Sequence, residues 1–293
     1  MSPLMRRPTL GLALGGGGAR GLAHIGVLKV LLEEGFKPDY LAGTSMGGII
    51  AGLYACGFTL SQLEEQARKL GKFSQLARSI DRHIMRLDYL IDGGNVEEFF
   101  EGLVSKDCTF ESLKVPLALA AVDLRSGREV TLQSGRLAEA MHASMALPGI
   151  IEPVDSEGRL LVDGGSLNNV PADLVRSMGA EVVAAVDVSP DVSDREYWES
   201  QKLPGIAAAN WKSNAIMVAT ITRAKLSRGR TDVVIRPQMG HQISTLSGFK
   251  YAKEIIANGE KAAKEALPQL RRLLRSRVTL SKPQHKPARA MEI

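Results

Sequence analysis

The chain reads Gly43-Thr44-Ser45-Met46-Gly47 between an apolar run at residues 40–42 and a helical pattern over residues 49–55. A serine at the turn from a strand to a helix is held in a strained backbone conformation that exposes its hydroxyl. The flanking glycines let the strand and the helix approach this turn, and the helix N-terminus favours negative charge on the serine oxygen. The stretch therefore predicts a nucleophilic Ser45 on an α/β fold.

Strand-like and helix-like segments alternate along most of the chain. This alternation predicts a three-layer α/β sandwich, in which a mainly parallel central sheet carries helices on both faces. Residues 182–186 are continuously apolar, as expected for a strand covered on both sides, whereas residues 117–133 predict a hairpin about Arg125-Ser126-Gly127. The predicted strands are 9–14, 39–44, 116–123, 128–133, 159–162, 181–188 and 232–235. The predicted helices are 22–34, 47–56, 60–70, 95–104, 136–145, 171–178, 205–229 and 248–275.

Length and composition are those of an ordinary globular protein. The 293 residues are 44% hydrophobic and 24% charged, which fits one large α/β domain over residues 1–275. Basic side chains crowd the C-terminus, so residues 276–293 are predicted to form a disordered basic tail. Arg6-Arg7 before the apolar residues 10–14 resembles the start of a secretion signal, but the glycines that follow favour a first strand.

The two cysteines, Cys56 and Cys108, form neither a metal-binding spacing nor a disulfide framework, which suits a reducing compartment. No apolar run in the sequence reaches the about 18 residues that a membrane span requires. We therefore expect a cytoplasmic protein that uses no metal and no cofactor. Nucleic acid is not an expected partner, because the sequence has no reader motif and little aromatic interleaving.

Peripheral contact with an anionic membrane is a further expectation, for which the sequence offers two segments. The basic tail would be attracted to anionic lipid. Residues 72–91 carry apolar side chains at helical spacing, with Arg78, Arg82 and Arg86 on a different stripe. That pattern fits a helix lying in a membrane interface, and it also fits a surface helix whose apolar face packs in the core.

A glycine-rich loop lies upstream of Ser45, between the predicted strand 9–14 and a helical pattern. Consecutive glycines before a helix expose N–H groups that can converge on an anion, with Arg20 either holding the loop or facing negative charge. A dinucleotide site is the alternative, because the spacing fits G-x-G-x-x-G. Such a site needs an acidic residue at the end of the second strand, and Asp39 precedes that strand instead. The predicted oxyanion hole comprises Gly16, Gly17, Gly18, Ala19, Arg20 and Gly21.

The base that would activate Ser45 is harder to assign from the residues alone. A Ser-His-Asp triad needs a histidine, and none has a diagnostic sequence context. Asp163 ends the predicted strand 159–162, and Gly164-Gly165 forces a turn that can bring its carboxylate close to another backbone. Asp92-Gly93-Gly94 has the same letters, but a helical pattern follows at once, so a helix cap explains it. The five histidines are His24, His83, His142, His241 and His285.

These motifs resemble those of the patatin-like phospholipases, a family of serine lipid acyl hydrolases. The glycine loop, the Ser45 turn and Asp163-Gly164 match the family's three motifs in order, and Ala143–Ile150 resembles a fourth block. Ile151-Glu152 departs from the family pattern, in which an aromatic residue and a proline are common there. The resemblance is strong over residues 9–190 and weak over the remainder.

The resemblance implies a patatin-like fold and a Ser-Asp dyad that uses no histidine. Ser45 would be the nucleophile, Asp163 the general base, and the loop around Gly17 and Gly18 the source of oxyanion donors. The implied activity is cleavage of lipid esters, of phospholipase A or lysophospholipase type. A triad esterase of the α/β-hydrolase type and a non-catalytic lipid-binding or regulatory protein on the same fold stay open as alternatives. Head group, acyl chain length, positional preference and oligomeric state have no signal in the sequence.

Overall fold

A computed structural model describes residues 5–69, 91–201, 205–228, 230–277 and 279–280. Its strands are β1 (Met5–Arg6), β2 (Leu10–Leu14), β3 (Tyr40–Gly43), β4 (Leu117–Asp123), β5 (Arg128–Leu132), β6 (Val154–Ser156), β7 (Arg159–Asp163), β8 (Val182–Val186), β9 (Val233–Ile235) and β10 (Thr279–Leu280). Its helices are α1 (Ala23–Glu33), α2 (Met46–Cys56), α3 (60–69), α4 (Gly93–Val104), α5 (Leu137–Met145), α6 (Gly165–Asn168), α7 (Ala172–Ser177), α8 (Arg195–Ser200), α9 (Gly205–Leu226) and α10 (Ala252–Ser276).

The predicted alternation is confirmed. Each of the seven predicted strands and each of the eight predicted helices has its counterpart in the described residues, including the hairpin formed by β4 and β5. The short elements β6, α6 and α8 had no signal in the sequence. Residues 72–90, most of the segment for which an interfacial helix was considered, lie outside the described residues.

The central sheet has the strand order β6-β7-β4-β3-β2-β8-β9, and β5 pairs with β4 as well. The neighbours β4, β3, β2, β8 and β9 are parallel, whereas β5, β6 and β7 are antiparallel to their partners. In an open parallel sheet, ligands bind where the carboxyl ends of the strands meet. Here that edge carries the glycine loop after β2 and Ser45 after β3.

Side chains alternate between two cores along the central strands. Leu10, Leu12 and Leu14 of β2 belong to the larger cluster, together with buried residues of α1, α2 and α10. Ala13 belongs to the opposite cluster, with residues of α7 and Leu226 of α9. Because successive residues of a strand point to opposite faces, the sheet is covered on both sides, and the three-layer α/β architecture is confirmed.

Residues 5–6 and 279–280 meet in a second, two-stranded sheet, where β1 pairs antiparallel with β10. Helix α10 ends at Ser276, and residues 281–293 of the predicted tail lie outside the described residues. Among the described helices, none combines the length and the low charge that crossing a bilayer demands. Cys56 and Cys108 are both free, yet the fold brings their sulfur atoms to 3.5 Å.

Candidate active site

Ser45 occupies a strained turn between β3 and α2. It is the N-cap residue of α2, with φ 54° and ψ −127°, a region that non-glycine residues rarely adopt and that is common at functional sites. The helix starts very close to the end of β2, since a Cβ on Gly47 would lie 2.1 Å from the carbonyl oxygen of Leu14. Glycine at this position therefore permits the sharp turn that the sequence predicts.

Ser144 holds the Ser45 backbone in this conformation. The Ser45 N–H donates to both the carbonyl and the hydroxyl oxygen of Ser144, each at 3.1 Å, and the Ser144 hydroxyl donates to the Ala120 carbonyl at 2.8 Å. Next to it, the Thr44 hydroxyl donates to the Asn168 carbonyl at 2.7 Å. Sequence reasoning assigned no role to Ser144, although it lies in the fourth block of the family resemblance.

Strand register brings Asp163 to Ser45. Gly43 of β3 lies opposite Leu119 of β4, and Asp163 of β7 lies opposite Ala121. Strand β5 pairs with β4 over residues 119–123 and so occupies one edge of β4. Strands β3 and β7 therefore lie end to end along the other edge of β4, and their last residues, Gly43 and Asp163, face each other. Ser45 and Asp163 are 118 positions apart in sequence, yet both line one pocket, and the Ser45 hydroxyl interacts with the Asp163 carboxyl group.

The Asp163 carboxyl group is only 6% exposed. Burial raises its pKa to about 6, although hydrogen bonds from Ser45 and from the Gly165 N–H (2.7 Å to Oδ1) act in the opposite direction. A carboxylate is ordinarily a weak base, and desolvation brings its pKa closer to neutral pH, where it removes a proton more effectively. The D-G-G turn therefore supplies the position of this group, and burial supplies its basicity.

The glycine loop presents two free donors beside Ser45. The Gly15 and Gly16 N–H groups are used by Val186 O (3.0 Å) and Asn169 O (2.9 Å), whereas those of Gly17 and Gly18 meet no protein acceptor within the described chain. A Cβ on Gly16 would lie 3.3 Å from Ser45 Cβ. The loop thus lies against Ser45 with N–H groups available.

Ala19, Arg20 and Gly21, which the sequence also placed in the oxyanion hole, lie away from it. The Ala19 and Arg20 N–H groups already donate to Thr245 O and Gly17 O, and Gly21 lies in a 3₁₀ helix over Gly18–Leu22. The buried Arg20 guanidinium donates to the carbonyl of Val188 at 2.8 Å and so holds the loop in place. These residues support the loop from behind because the 3₁₀ helix turns the chain back into the core.

Asn169 joins the glycine loop to the acidic turn. Its side-chain amide donates to Gly16 O (3.3 Å) and Ser189 Oγ (3.0 Å), while its own carbonyl accepts from the Gly16 N–H. Sequence reasoning missed Asn169. The sequence signal that could have indicated it is the pair Asn168-Asn169, which lies between Asp163-Gly164-Gly165 and Pro171.

Histidines of the described chain do not line the site. His24 is fully buried with Nε2 against Gly15 O (2.7 Å), and burial lowers its pKa to about 4. His142 contacts Glu152 O, and His241 contacts Asp194 and Glu196 at the surface. His83 and His285 lie outside the described residues.

The structure also bears on the dinucleotide alternative. Asp39 accepts hydrogen bonds from Arg7 and from the Leu10 N–H at the start of β2. This is the edge of the sheet opposite the glycine loop, so Asp39 cannot meet a ribose bound there. The acidic side chain that a dinucleotide site needs is therefore absent from the position where Asp39 was considered.

A pocket of about 140 Å³ opens over Ser45 and Asp163. Its floor is the glycine loop, Ser45 and Asp163, and α9 forms one wall through Trp211, Ala215 and Val218.

Among the described residues, no group of three or more His, Cys, Asp or Glu side chains is arranged to hold a metal ion. Asp92 caps α4 by accepting from the Gly94 N–H at 2.9 Å, which confirms the distinction drawn between the two D-G-G sequences.

The protein thus combines a three-layer α/β sandwich with a site in which a serine on a strained turn lies against a buried carboxylate. The sequence profile of the patatin-like phospholipases matches residues 12–176, and the chain belongs to that family. Over 189 residues it is 36% identical to an uncharacterized NTE family protein of Mycobacterium bovis, which covers 62% of this chain and 49% of the relative.

Further similarities extend to a human protein and to one solved structure. Patatin-like phospholipase domain-containing protein 6 of Homo sapiens is 38% identical over 192 residues, or 64% of this chain and 14% of that protein. The structure of VipD from Legionella pneumophila matches 92% of this chain and 67% of its own, with 13% identity and a TM-score of 0.49. The chain thus spans about half the length of its mycobacterial relative and a small part of the human one.

Proposed function

We propose that this protein is a serine acyl hydrolase that cleaves lipid esters through an acyl-enzyme on Ser45, with Asp163 as general base. The observation that carries the proposal is the contact between a hydroxyl on a strained turn and a buried carboxyl group with a raised pKa. Family membership supports lipid as the substrate class. The uncommitted N–H groups of Gly17 and Gly18 supply the third requirement, a site for negative charge.

The reaction begins when Ser45 Oγ attacks the ester carbonyl carbon and its proton passes to Asp163. The carbonyl oxygen becomes an oxyanion, which the Gly17 and Gly18 N–H groups stabilise together with the N-terminus of α2. The tetrahedral intermediate then collapses as Asp163 returns the proton to the leaving alcohol. Water attacks the acyl-enzyme with Asp163 as base again, which releases the fatty acid and restores Ser45.

The experiment that tests this proposal combines a substrate panel with a covalent probe. Phospholipids, lysophospholipids and short-chain esters are offered to the full chain, and a serine-reactive fluorophosphonate is mapped by mass spectrometry. We expect ester turnover and a single adduct on Ser45. A folded protein with neither turnover nor adduct would support the non-catalytic alternative instead.

The rate should depend on pH through Asp163. Because its pKa is about 6 and only the ionised form accepts a proton, kcat/KM for a short-chain ester should fall about tenfold per unit below pH 6. The measurement is a pH–rate profile, with circular dichroism at each pH to confirm folding. A constant rate down to pH 5 would contradict the raised pKa of the base.

Replacing Gly18 by alanine should lower kcat about 10²-fold, the scale of losing one oxyanion donor, with a smaller change in KM. Gly18 has φ 52°, and a Cβ there would lie 2.3 Å from the carbonyl oxygen of Thr245. The loop must therefore shift, and its N–H groups no longer point at the oxyanion.

Gly35→Ala is the matched control for Gly18→Ala. Gly35 also has a positive φ, 77°, but its Cβ would meet nothing within 4 Å, and it follows α1 at the opposite edge of the sheet. Both variants should lose about 1 kcal/mol of stability from the strained backbone. Gly18→Ala should lose more because of its contact with the Thr245 carbonyl oxygen, and only Gly18→Ala should lose turnover. Equal kinetics in the two variants would argue against the oxyanion role of the loop.

A further inference from the structure

Helix α9 has an outward stripe without charge. At 100° per residue, eight of its exposed side chains fall within an arc of about 120°, and the exposed Lys212, Asn214 and Arg223 lie beside that arc. The members of this stripe are Ile206, Ala209, Asn210, Ser213, Ile216, Met217, Thr220 and Ala224. Two of them are large apolar residues exposed by more than half, Ile206 at 84% and Met217 at 57%. A helix that faces only water would carry charged side chains on this stripe.

Helix α10 shows the ordinary pattern in the same molecule. Its buried residues face α1 and the sheet, and its exposed residues include Lys253, Glu254, Lys261, Lys264 and Glu265. Helix α9 contains no acidic residue at all, while Lys212 and Arg223 flank its uncharged stripe. The charge on α9 is thus entirely positive and lies beside an apolar face, which complements an anionic lipid surface.

Through Ala209, one edge of this stripe borders a groove that both tryptophans of the chain line. Trp198 of α8 and Trp211 of α9 line this open groove of about 490 Å³ with Ala208 and Ala209. The Lys212 ammonium lies 5.6 Å from the centre of the Trp198 ring. Tryptophan is favoured at the boundary between lipid and water because its ring is apolar and its N–H is polar.

The exposed Asn214, which lies beside one edge of the stripe, lines the pocket over Ser45 and Asp163. The opposite side of α9 forms a wall of the catalytic pocket through Trp211, Ala215 and Val218, and Leu246, itself 39% exposed, lies at the same pocket. Pockets that enclose a drug-sized ligand measure about 300 Å³ or more, and this one measures about 140 Å³. Most of a lipid bound at Ser45 must therefore stay outside the pocket.

We propose that α9 and Leu246 form a docking face that binds the surface of an anionic bilayer and presents membrane lipid to Ser45. The docking face consists of Trp198, Ile206, Ile216, Met217 and Leu246. The proposal rests on the proposed function for its substrate, but binding to the bilayer is a separate event. Four of the five large apolar side chains exposed in the described chain belong to this face.

Vesicle binding tests the docking face directly. Vesicles of phosphatidylcholine with one quarter phosphatidylglycerol, carrying brominated acyl chains, are mixed with Ser45→Ala protein so that no lipid is consumed. Because Trp198 lies on the docking face and Trp211 lines the groove beside it, tryptophan fluorescence should be quenched as the protein binds. Ile206→Glu/Met217→Glu in the same background should weaken binding at least tenfold, since each change places a carboxylate against lipid. Lys264→Glu is the control, because it changes the net charge equally on exposed α10.

Hydrolysis by the active forms separates the outcomes. The double variant should lose turnover of vesicle lipid and keep turnover of a soluble short-chain ester, while Lys264→Glu keeps both. Unchanged vesicle binding of the double variant, or an equal loss on both substrates, would overturn the docking face. So would a concentration-dependent dimer that the double variant abolishes without any vesicle binding. If no ester is cleaved but quenching occurs and depends on Ile206 and Met217, the proposed function fails and the docking face stands.

Discussion

Replacement of Ser45 by alanine should abolish ester hydrolysis, with a fall in kcat of at least about 10⁴-fold, as expected when a catalytic nucleophile is lost. The hydroxyl is the only part removed, and the strained turn stays in place because Ser144 still accepts from the residue 45 N–H. The fluorophosphonate adduct should disappear together with turnover. Circular dichroism and thermal unfolding confirm that the variant is folded.

Two other serines provide the controls for this variant. Ser166 lies at the same pocket but on no strained turn, so Ser166→Ala should keep the adduct on Ser45. Ser144 is fully buried and its hydroxyl donates to Ala120 O, so Ser144→Ala should loosen the turn and lower the rate without removing the adduct. Retained turnover in Ser45→Ala, or an adduct on another serine, would refute the assignment of the nucleophile.

The parts of this fold that could be predicted from sequence are those in which local pattern and tertiary packing agree. Strands β2 and β8 are continuously apolar because both faces are covered. By contrast, β6 has three residues, and α8 has no apolar periodicity over its six residues. Elements that short are defined by their partners, β7 in the first case, so their sequences alone carry little signal.

The candidate site also has parts that depend on local sequence and parts that depend on tertiary contacts. The turns that carry Ser45 and Asp163 could be predicted because each is local, and their glycines are visible in sequence. The contacts of Ser144 and Asn169 depend instead on strand register and on residues more than 95 positions away. The 3.5 Å approach of Cys56 and Cys108 likewise follows from packing between separate elements. No spacing rule in a single sequence encodes such contacts.

The Asp163→Asn variant should lose turnover and gain stability. Turnover should fall at least 10²-fold, because asparagine accepts a hydrogen bond from Gly165 as aspartate does but cannot take the Ser45 proton. The control is Asp92→Asn in the second D-G-G sequence, which should change little, since asparagine caps helices as well as aspartate. A His24→Gln or His142→Gln variant as damaging as Asp163→Asn would favour a triad.

The stability of the Asp163→Asn variant should exceed that of the native protein at high pH. The pKa of Asp163 is about 6 in the folded chain and 3.8 as its ordinary value, so between these pH values the folded state holds more protons than the unfolded state. The free energy of unfolding of the native protein therefore decreases as pH rises from about 4 to 6. Above pH 6 the buried charge costs up to about 3 kcal/mol, and Asp163→Asn removes this penalty. Urea unfolding at pH 8 should show the variant as more stable, and the difference should vanish near pH 4. A variant that is inactive and equally stable at both pH values would mean that Asp163 is not held as a desolvated base, because only a carboxylate kept out of water loses stability when it ionises.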